Sequence, residues 1–251
     1  MALSPVNGQP CWLDVSVKTT QEREALMDFL GAVFDWSFDV NGPEMGFYTM
    51  ALRDGVPVCG IGENPDGAGF WVTYLATDNI VQSVEAVTTA GGNVFMPPMQ
   101  VGDAGAMALA LDPAGAVFGL WQKVDFGGFS AYGQVNGPCW FDHVSGDPEA
   151  AGAFYATAFG RTVAPMAEMG GGLIMLGADE GVASFSLSND GQPTAWTPII
   201  GVSSLADAEE RAVSHGGSVL FSGMEVPGGT VSGLAGAGTI VIAFESPGLT
   251  A

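Results

Sequence analysis

The sequence predicts an α+β fold made of two tandem copies of one module, each copy holding two βαβββ units in a row. Three observations carry this reading. Pro10-Cys11-Trp12-Leu13-Asp14 returns as Pro138-Cys139-Trp140-Phe141-Asp142, an offset of 128 positions (138 minus 10). Later landmarks keep the same order. Phe70-Trp71-Val72-Thr73 is echoed by Ala195-Trp196-Thr197-Pro198 and Gly91-Gly92 by Gly216-Gly217, both at an offset of 125 (216 minus 91). Within a copy, strand-like alternation gives way to helical spacing and returns, twice over. The first module is expected over 4–123 and the second over 134–249. A Gly-rich linker, 124–133, falls between them.

The elements of the first module follow in order. Trp12 to Val17 alternates with period 2, as a half-buried strand does. Thr19-Thr20 with Glu22 and Glu24 marks a helix start, with acidic residues in the first turn. Ala25, Leu26, Phe29, Leu30 and Val33 then recur at helical spacing. Phe47 to Leu52 and Val56 to Ile61 flank Arg53-Asp54-Gly55, a hairpin signal. Trp71 to Ala76 reads as a strand. Asp78 is the expected cap of a helix that runs through Ile80, Val84 and Val87 and stops at Gly91-Gly92. Val94 to Met96, Ala106 to Leu111 and Ala116 to Trp121 read as strands, with Asp112-Pro113-Ala114-Gly115 as a turn.

Composition narrows the function. The chain has 251 residues, with 27 acidic side chains against 6 Lys and Arg, a net charge of -21. That balance excludes sequence-independent nucleic-acid binding, which needs a basic footprint. It also argues against docking on anionic lipid. At 47% hydrophobic residues the chain can bury a core. Three cysteines without paired spacing suit a reducing compartment. The first ten residues lack a basic n-region and an apolar h-region, and no long apolar run occurs, so a cytoplasmic protein is expected.

The element order, with Asp112-Pro113-x-Gly115 before a strand ending Leu120-Trp121-Gln122, resembles the vicinal oxygen chelate superfamily. That group includes glyoxalase I, extradiol dioxygenases, fosfomycin-resistance enzymes and bleomycin-binding proteins. The resemblance covers nearly the whole chain and is strongest to two-module actinobacterial glyoxalase-like proteins. It implies curved sheets forming an open, barrel-like trough with the helices outside and a ligand within. Many members hold a divalent ion at three strand positions. Here those positions carry Trp12 and Trp140, then Trp71 and Trp196, then Gly119 and about Ile242. Indole cannot ligate a metal. The chain has only two histidines, His143 and His215. No metal and no other cofactor is therefore expected.

Strand parity places the candidate site. Trp12 and Asp14 share one face, with Leu13, Val15 and Val17 on the other. Ligand-binding candidates are Trp12, Trp71, Trp121, Trp140, Trp196 and Phe244, taken to line the troughs as flat aromatic surface. The rival reading is that they fill collapsed troughs as core. Asp14 and Asp142 are the catalytic candidates, because a carboxylate in an apolar trough has a raised pKa suited to proton transfer. His143 points opposite to Asp142, toward the helices or the seam between modules, and His215 sits at a helix C-terminus. Cys11 and Cys139 are expected to face the helices. With Gly119 and Trp121 in its last strand, the first module is expected to hold the roomier pocket.

The expected function is metal-independent handling of a small aromatic or polyketide-like molecule, in secondary-metabolite biosynthesis or in antibiotic self-resistance by binding. If catalytic, the step is an isomerisation, cyclisation, dehydration or ring opening using a carboxylate base. Two alternatives stand: a metal-dependent lyase or dioxygenase with unusual ligands, and a structural pair of modules with both troughs collapsed. A monomer or a homodimer is expected, with no nucleic-acid or membrane partner.

Overall fold

The computed structural model describes residues 6–65, 70–165, 173–176, 181–188 and 192–250. In the first module the order is β1 (Pro10–Val17), α1 (Thr20–Phe34), β2 (Ser37–Val40), β3 (Thr49–Arg53), β4 (Val56–Glu63), β5 (Trp71–Ala76), α2 (Ile80–Thr89), β6 (Asn93–Val101), β7 (Gly105–Leu111) and β8 (Val117–Lys123). The second repeats it with β9 (Pro138–Ser145), α3 (Pro148–Phe159), β10 (Val163–Pro165), β11 (Leu173–Leu176), β12 (Gly181–Leu187), β13 (Ala195–Val202), α4 (Leu205–Ser214), β14 (Ser218–Val226), β15 (Gly229–Gly236) and β16 (Thr239–Glu245). Each module is one eight-stranded mixed sheet. The orders are β2-β3-β4-β1-β5-β8-β7-β6 and β10-β11-β12-β9-β13-β16-β15-β14. The internal repeat thus becomes two copies of one open sheet, with edge strands at both ends rather than a closed barrel.

Local chemistry explains the helix starts. Thr19 Oγ1 accepts from Glu22 N, a donor of the first turn, while the Glu22 carboxylate reaches back to accept from Lys18 N just before the cap. The cap of α2 is Asn79, whose side chain accepts from Gln82 N. It is one residue later than the expected Asp78. A strand missing from the sequence reading, β2, is four residues long and mostly exposed, so it carries no apolar signal. Pro97 and Pro98 lie in β6, where an edge position and two register shifts tolerate residues without an N–H.

On the helix side, Leu13 and Val15 of β1 pack with Leu26, Phe29, Leu30 and Val33 of α1, all buried. Each such side chain contributes about 1.5–3 kcal/mol of burial. The seam between modules is also packed. Helices α1 and α4 touch, as do α2 and α3. Trp71 Nε1 donates to Ile240 O at 2.7 Å and Trp36 Nε1 to Asn136 O at 2.7 Å, each bond crossing between modules. No helix among the described residues is long and apolar enough to cross a membrane.

Candidate functional site

Register decides which side chains share a face. In the first module Trp12 pairs with Tyr74 and Asp14 with Val72, while Trp71 pairs with Val15. In the second, Trp140 pairs with Ile199 and Asp142 with Thr197, while Trp196 pairs with His143. Trp12, Asp14, Trp140 and Asp142 therefore lie on the trough face. Trp71 and Trp196 lie on the opposite face, contrary to the expectation that they line the troughs. Trp196 packs in the helix-side core, with its ring 5.3 Å from His143 and 5.2 Å from Tyr155. Gly119 pairs with Tyr74, and Trp121 follows on the same face of β8, as parity expected.

The first trough is filled by its own chain. Tyr48 Oη donates to Asp14 Oδ1 at 2.8 Å and Trp12 Nε1 donates to the same oxygen at 3.0 Å. The Tyr74 ring lies over Gly119, so that a Cβ there would collide with it. The linker then folds back over the trough. Phe126 meets Trp12 edge-on at 4.8 Å, and its carbonyl accepts from Trp121 Nε1 at 2.8 Å. Gly128 makes this return possible. Its φ is +92°, and any Cβ would strike the carbonyl of Cys11. The expectation of a roomier first pocket is thereby overturned: glycine at 119 is room that Tyr74 occupies. Burial pushes the Asp14 carboxyl above its ordinary value, and the hydrogen bonds from Tyr48, Tyr74 and Trp12 only partly offset that.

The second trough is open. It encloses a cavity of about 500 Å³, within the usual range of small-molecule sites. One wall is Trp140, Ile199, Ile242 and Phe244 from β9, β13 and β16. Phe221 and Met224 of β14, with Val231 of β15 beside Phe244, complete the lining. Register shifts around Phe221 and Met224 mark bulges in β14, which aim both side chains inward. Glu209 of α4 ties the bulge down by accepting from Ser222 Oγ at 2.7 Å and Ser232 Oγ at 2.6 Å.

One polar corner stands in this apolar space. Asp142 Oδ1 accepts from Ser184 Oγ at 2.6 Å and from Ser186 Oγ at 2.9 Å, and Trp140 Nε1 donates to Ser184 Oγ at 2.9 Å. Oδ2 has no partner among the described residues. Burial pushes the Asp142 carboxyl above its ordinary value despite the bonds from the two serines and the charge of His143, which pull it down. Ser184 and Ser186 were missed in the sequence, although their alternation with Ala183, Phe185 and Leu187 is a period-2 signal. Cys139, expected to face the helices, instead lines the cavity, at a register irregularity between β9 and β13. Burial pushes its thiol up to about 12.

His143 lies at the seam on the opposite face, fully buried. Its Nε2 meets Asp112 Oδ2 at 2.6 Å, and Tyr155 Oη donates to the same oxygen at 3.0 Å. Tyr155 in turn accepts from Trp196 Nε1 at 2.8 Å. Asp112 Oδ1 accepts from Ala114 N and Ala116 N, which builds the Asp112-Pro113 turn. Burial raises the Asp112 carboxyl, but the bonds to His143, Ala116 and Tyr155 outweigh it and hold the group below its ordinary value. An ionised Asp112 makes His143 Nε2 the donor, so the histidine serves the seam and not the cavity. His215 Nδ1 meets Arg211 O at the exposed end of α4.

Among the described residues, neither trough offers a ligand set for a divalent ion. Asp142 is the one carboxylate among the described residues that line the second cavity, the hydroxyls of Ser184 and Ser186 are bound to it, and Trp140, Ile199 and Ile242 offer no lone pair. In the first, Asp14 is enclosed by two phenols and an indole. Among the described residues no three His, Cys, Asp or Glu side chains come together as a ligand set.

Comparison with known proteins completes the picture. No protein-family model matches the chain. It is 30% identical over 231 residues to "Putative glyoxylase CFP32" of Mycobacterium tuberculosis, covering 88% of this chain and 87% of that one. It is 32% identical over 170 residues to "Anthracycline biosynthesis protein DnrV" of Streptomyces peucetius, covering 61% of each. Among solved structures, 2,2',3-trihydroxybiphenyl 1,2-dioxygenase of Sphingomonas wittichii superposes with a TM-score of 0.68 at 14% identity, covering 96% of this chain and 91% of that one. The Mn(II)-bound glyoxalase of Novosphingobium aromaticivorans gives 0.65 at 14% identity, covering 95% and 82%. At such identity the two structures speak for the fold alone.

Proposed function

Because the chain belongs to the vicinal oxygen chelate superfamily, whose fold places ligands in the sheet trough, we propose that it binds a small aromatic or polyketide-like molecule in the second trough, without a metal. The observation that carries this reading is the roughly 500 Å³ apolar cavity in which Asp142 is the one charged side chain among the described residues. Trp140, Phe221 and Phe244 supply flat surface for stacking. The relative in anthracycline biosynthesis supports a role in secondary metabolism. The first module acts as a packed partner that completes the seam.

If a bond is made or broken, Asp142 is the group that moves the proton. Its Oδ1 is fixed by Ser184 and Ser186, and Oδ2, without a partner among the described residues, can meet a ligand. Burial makes it a stronger base than an exposed carboxylate. Such a base suits enolisation, cyclisation or elimination at a carbon next to a carbonyl. Asp14 has no comparable access.

Calorimetric titration with planar tricyclic quinones tests the reading. Saturable binding that Trp140→Ala weakens at least tenfold, with Trp12→Ala having a smaller effect, supports it. Binding by neither protein would return the chain to the structural reading. Stoichiometric Mn, Fe, Ni or Zn in the purified protein would overturn the metal-free claim.

A further inference from the structure

The charge of the ligand follows from where the cations of this chain are held. The second module contains two cationic residues, Arg161 and Arg211, and no lysine. Both are spent at the seam on partners in the first module. Arg161 Nε donates to Asn7 O at 2.7 Å, and Arg211 Nη1 to Asp35 Oδ2 at 3.0 Å. Among the described residues no Lys or Arg lines the cavity to answer an anion. The chain also carries a net charge of -21, so its field opposes anionic ligands before they arrive.

The polar corner adds a second constraint. The hydroxyl hydrogens of Ser184 and Ser186 are both directed at Asp142 Oδ1. The corner is thus rich in acceptors, and among the described residues Asp142 Oδ2 has no donor. A site whose buried acceptor is left unmatched penalises a ligand that brings no donor.

Resting on the reading of the second trough as the ligand site, we infer that the site selects a planar ligand that is neutral or cationic and donates an O–H or N–H to Asp142 Oδ2. It rejects ligands bearing carboxylate, sulfonate or phosphate. Selection against anions is built in as an uncompensated like charge, not as a steric block. The reaction that supplies this ligand must therefore leave it without an anionic handle, as after decarboxylation, esterification or release from a phosphorylated carrier.

Three anthraquinones of similar size separate the possibilities, each titrated calorimetrically into the full-length protein at pH 7. They are 2-(hydroxymethyl)anthraquinone, 2-methylanthraquinone and anthraquinone-2-sulfonate. The expected order is hydroxymethyl at least threefold tighter than methyl, and sulfonate at least tenfold weaker than methyl. A 2-(aminomethyl) analogue should match or exceed the hydroxymethyl compound. In Asp142→Asn, whose folding is checked by its thermal transition, the penalty on the sulfonate should fall at least threefold. Equal affinity of the sulfonate and methyl compounds overturns the charge rule, and equal affinity of the hydroxymethyl and methyl compounds overturns the donor rule. Both results leave the ligand site standing. Binding by none of the probes removes the ligand-site reading itself, and this inference with it.

Discussion

Replacing Tyr155 by Phe deletes one oxygen from the centre of the seam. That oxygen donates to Asp112 Oδ2 and accepts from Trp196 Nε1, at 3.0 and 2.8 Å, in a fully buried region. Two losses follow. Asp112 keeps His143 but loses a hydrogen bond to a charged acceptor, about 1.5–3 kcal/mol. Trp196 is left with an unpaired buried N–H, about 1–3 kcal/mol. The two losses share one network and do not add fully, so the expected destabilisation is about 2–4 kcal/mol. Equilibrium urea unfolding followed by Trp fluorescence and far-UV circular dichroism reads it as a lower midpoint at unchanged slope. Trp196→Phe in the Tyr155→Phe background should cost less than in the wild type, because the stranded donor is gone. A loss below about 0.5 kcal/mol, the scale of an ordinary surface substitution, would refute the view that this network locks the modules together.

Other consequences can be measured the same way. The raised Asp142 means that the folded chain holds a proton the unfolded chain has released, so this group's contribution to stability falls as pH rises above about 4. Asp142→Asn should therefore gain on the wild type as pH rises from about 4, and a gap independent of pH would contradict it. Asp112 has the opposite sign. Its lowered value gives stability that is present above the ordinary carboxylate range and lost below it, so Asp112→Asn should cost more at neutral pH than in acid. Phe126→Ala should unplug the first trough at a cost of about 2–3 kcal/mol and let it bind a second equivalent of quinone; unchanged stoichiometry would count against the plug. The buried thiols, Cys139 at about 12 and Cys11 and Cys59 pushed up by burial, should react slowly with Ellman's reagent at pH 8, with three thiols appearing in denaturant.

Much of the fold was legible because the chain states it twice. The Pro-Cys-Trp-x-Asp repeat fixed the opening strands, and Thr19 and Glu22 announced α1 by the bonds they make. The trough face of β1 was legible too, since Leu13 and Val15 alternate with Trp12 and Asp14. Trp71 was misplaced for a physical reason, and Trp196 was placed by its match to Trp71 in the repeat. Strand β5 is central and buried on both faces, so every residue from Trp71 to Ala76 is covered and no alternation distinguishes its sides. Tyr74, not Trp71, reaches the trough. The plug of the first module was equally hidden. Phe126 and Gly128 sit in a stretch whose composition reads as a linker, and only the packing of Phe126 on Trp12 shows where it goes. Glycine at 119 looked like space because the sequence does not show that Tyr74 lies across it.

The central claim is that the second trough, and not the first, receives an aromatic ligand at Asp142. A crystal structure of the full chain with 2-(hydroxymethyl)anthraquinone tests it most directly. The account predicts the ring system between the Trp140–Phe244 wall and Phe221, with the hydroxyl about 3 Å from Asp142 Oδ2. Ligand found at the seam or in the first trough, with the second trough vacant, would contradict it.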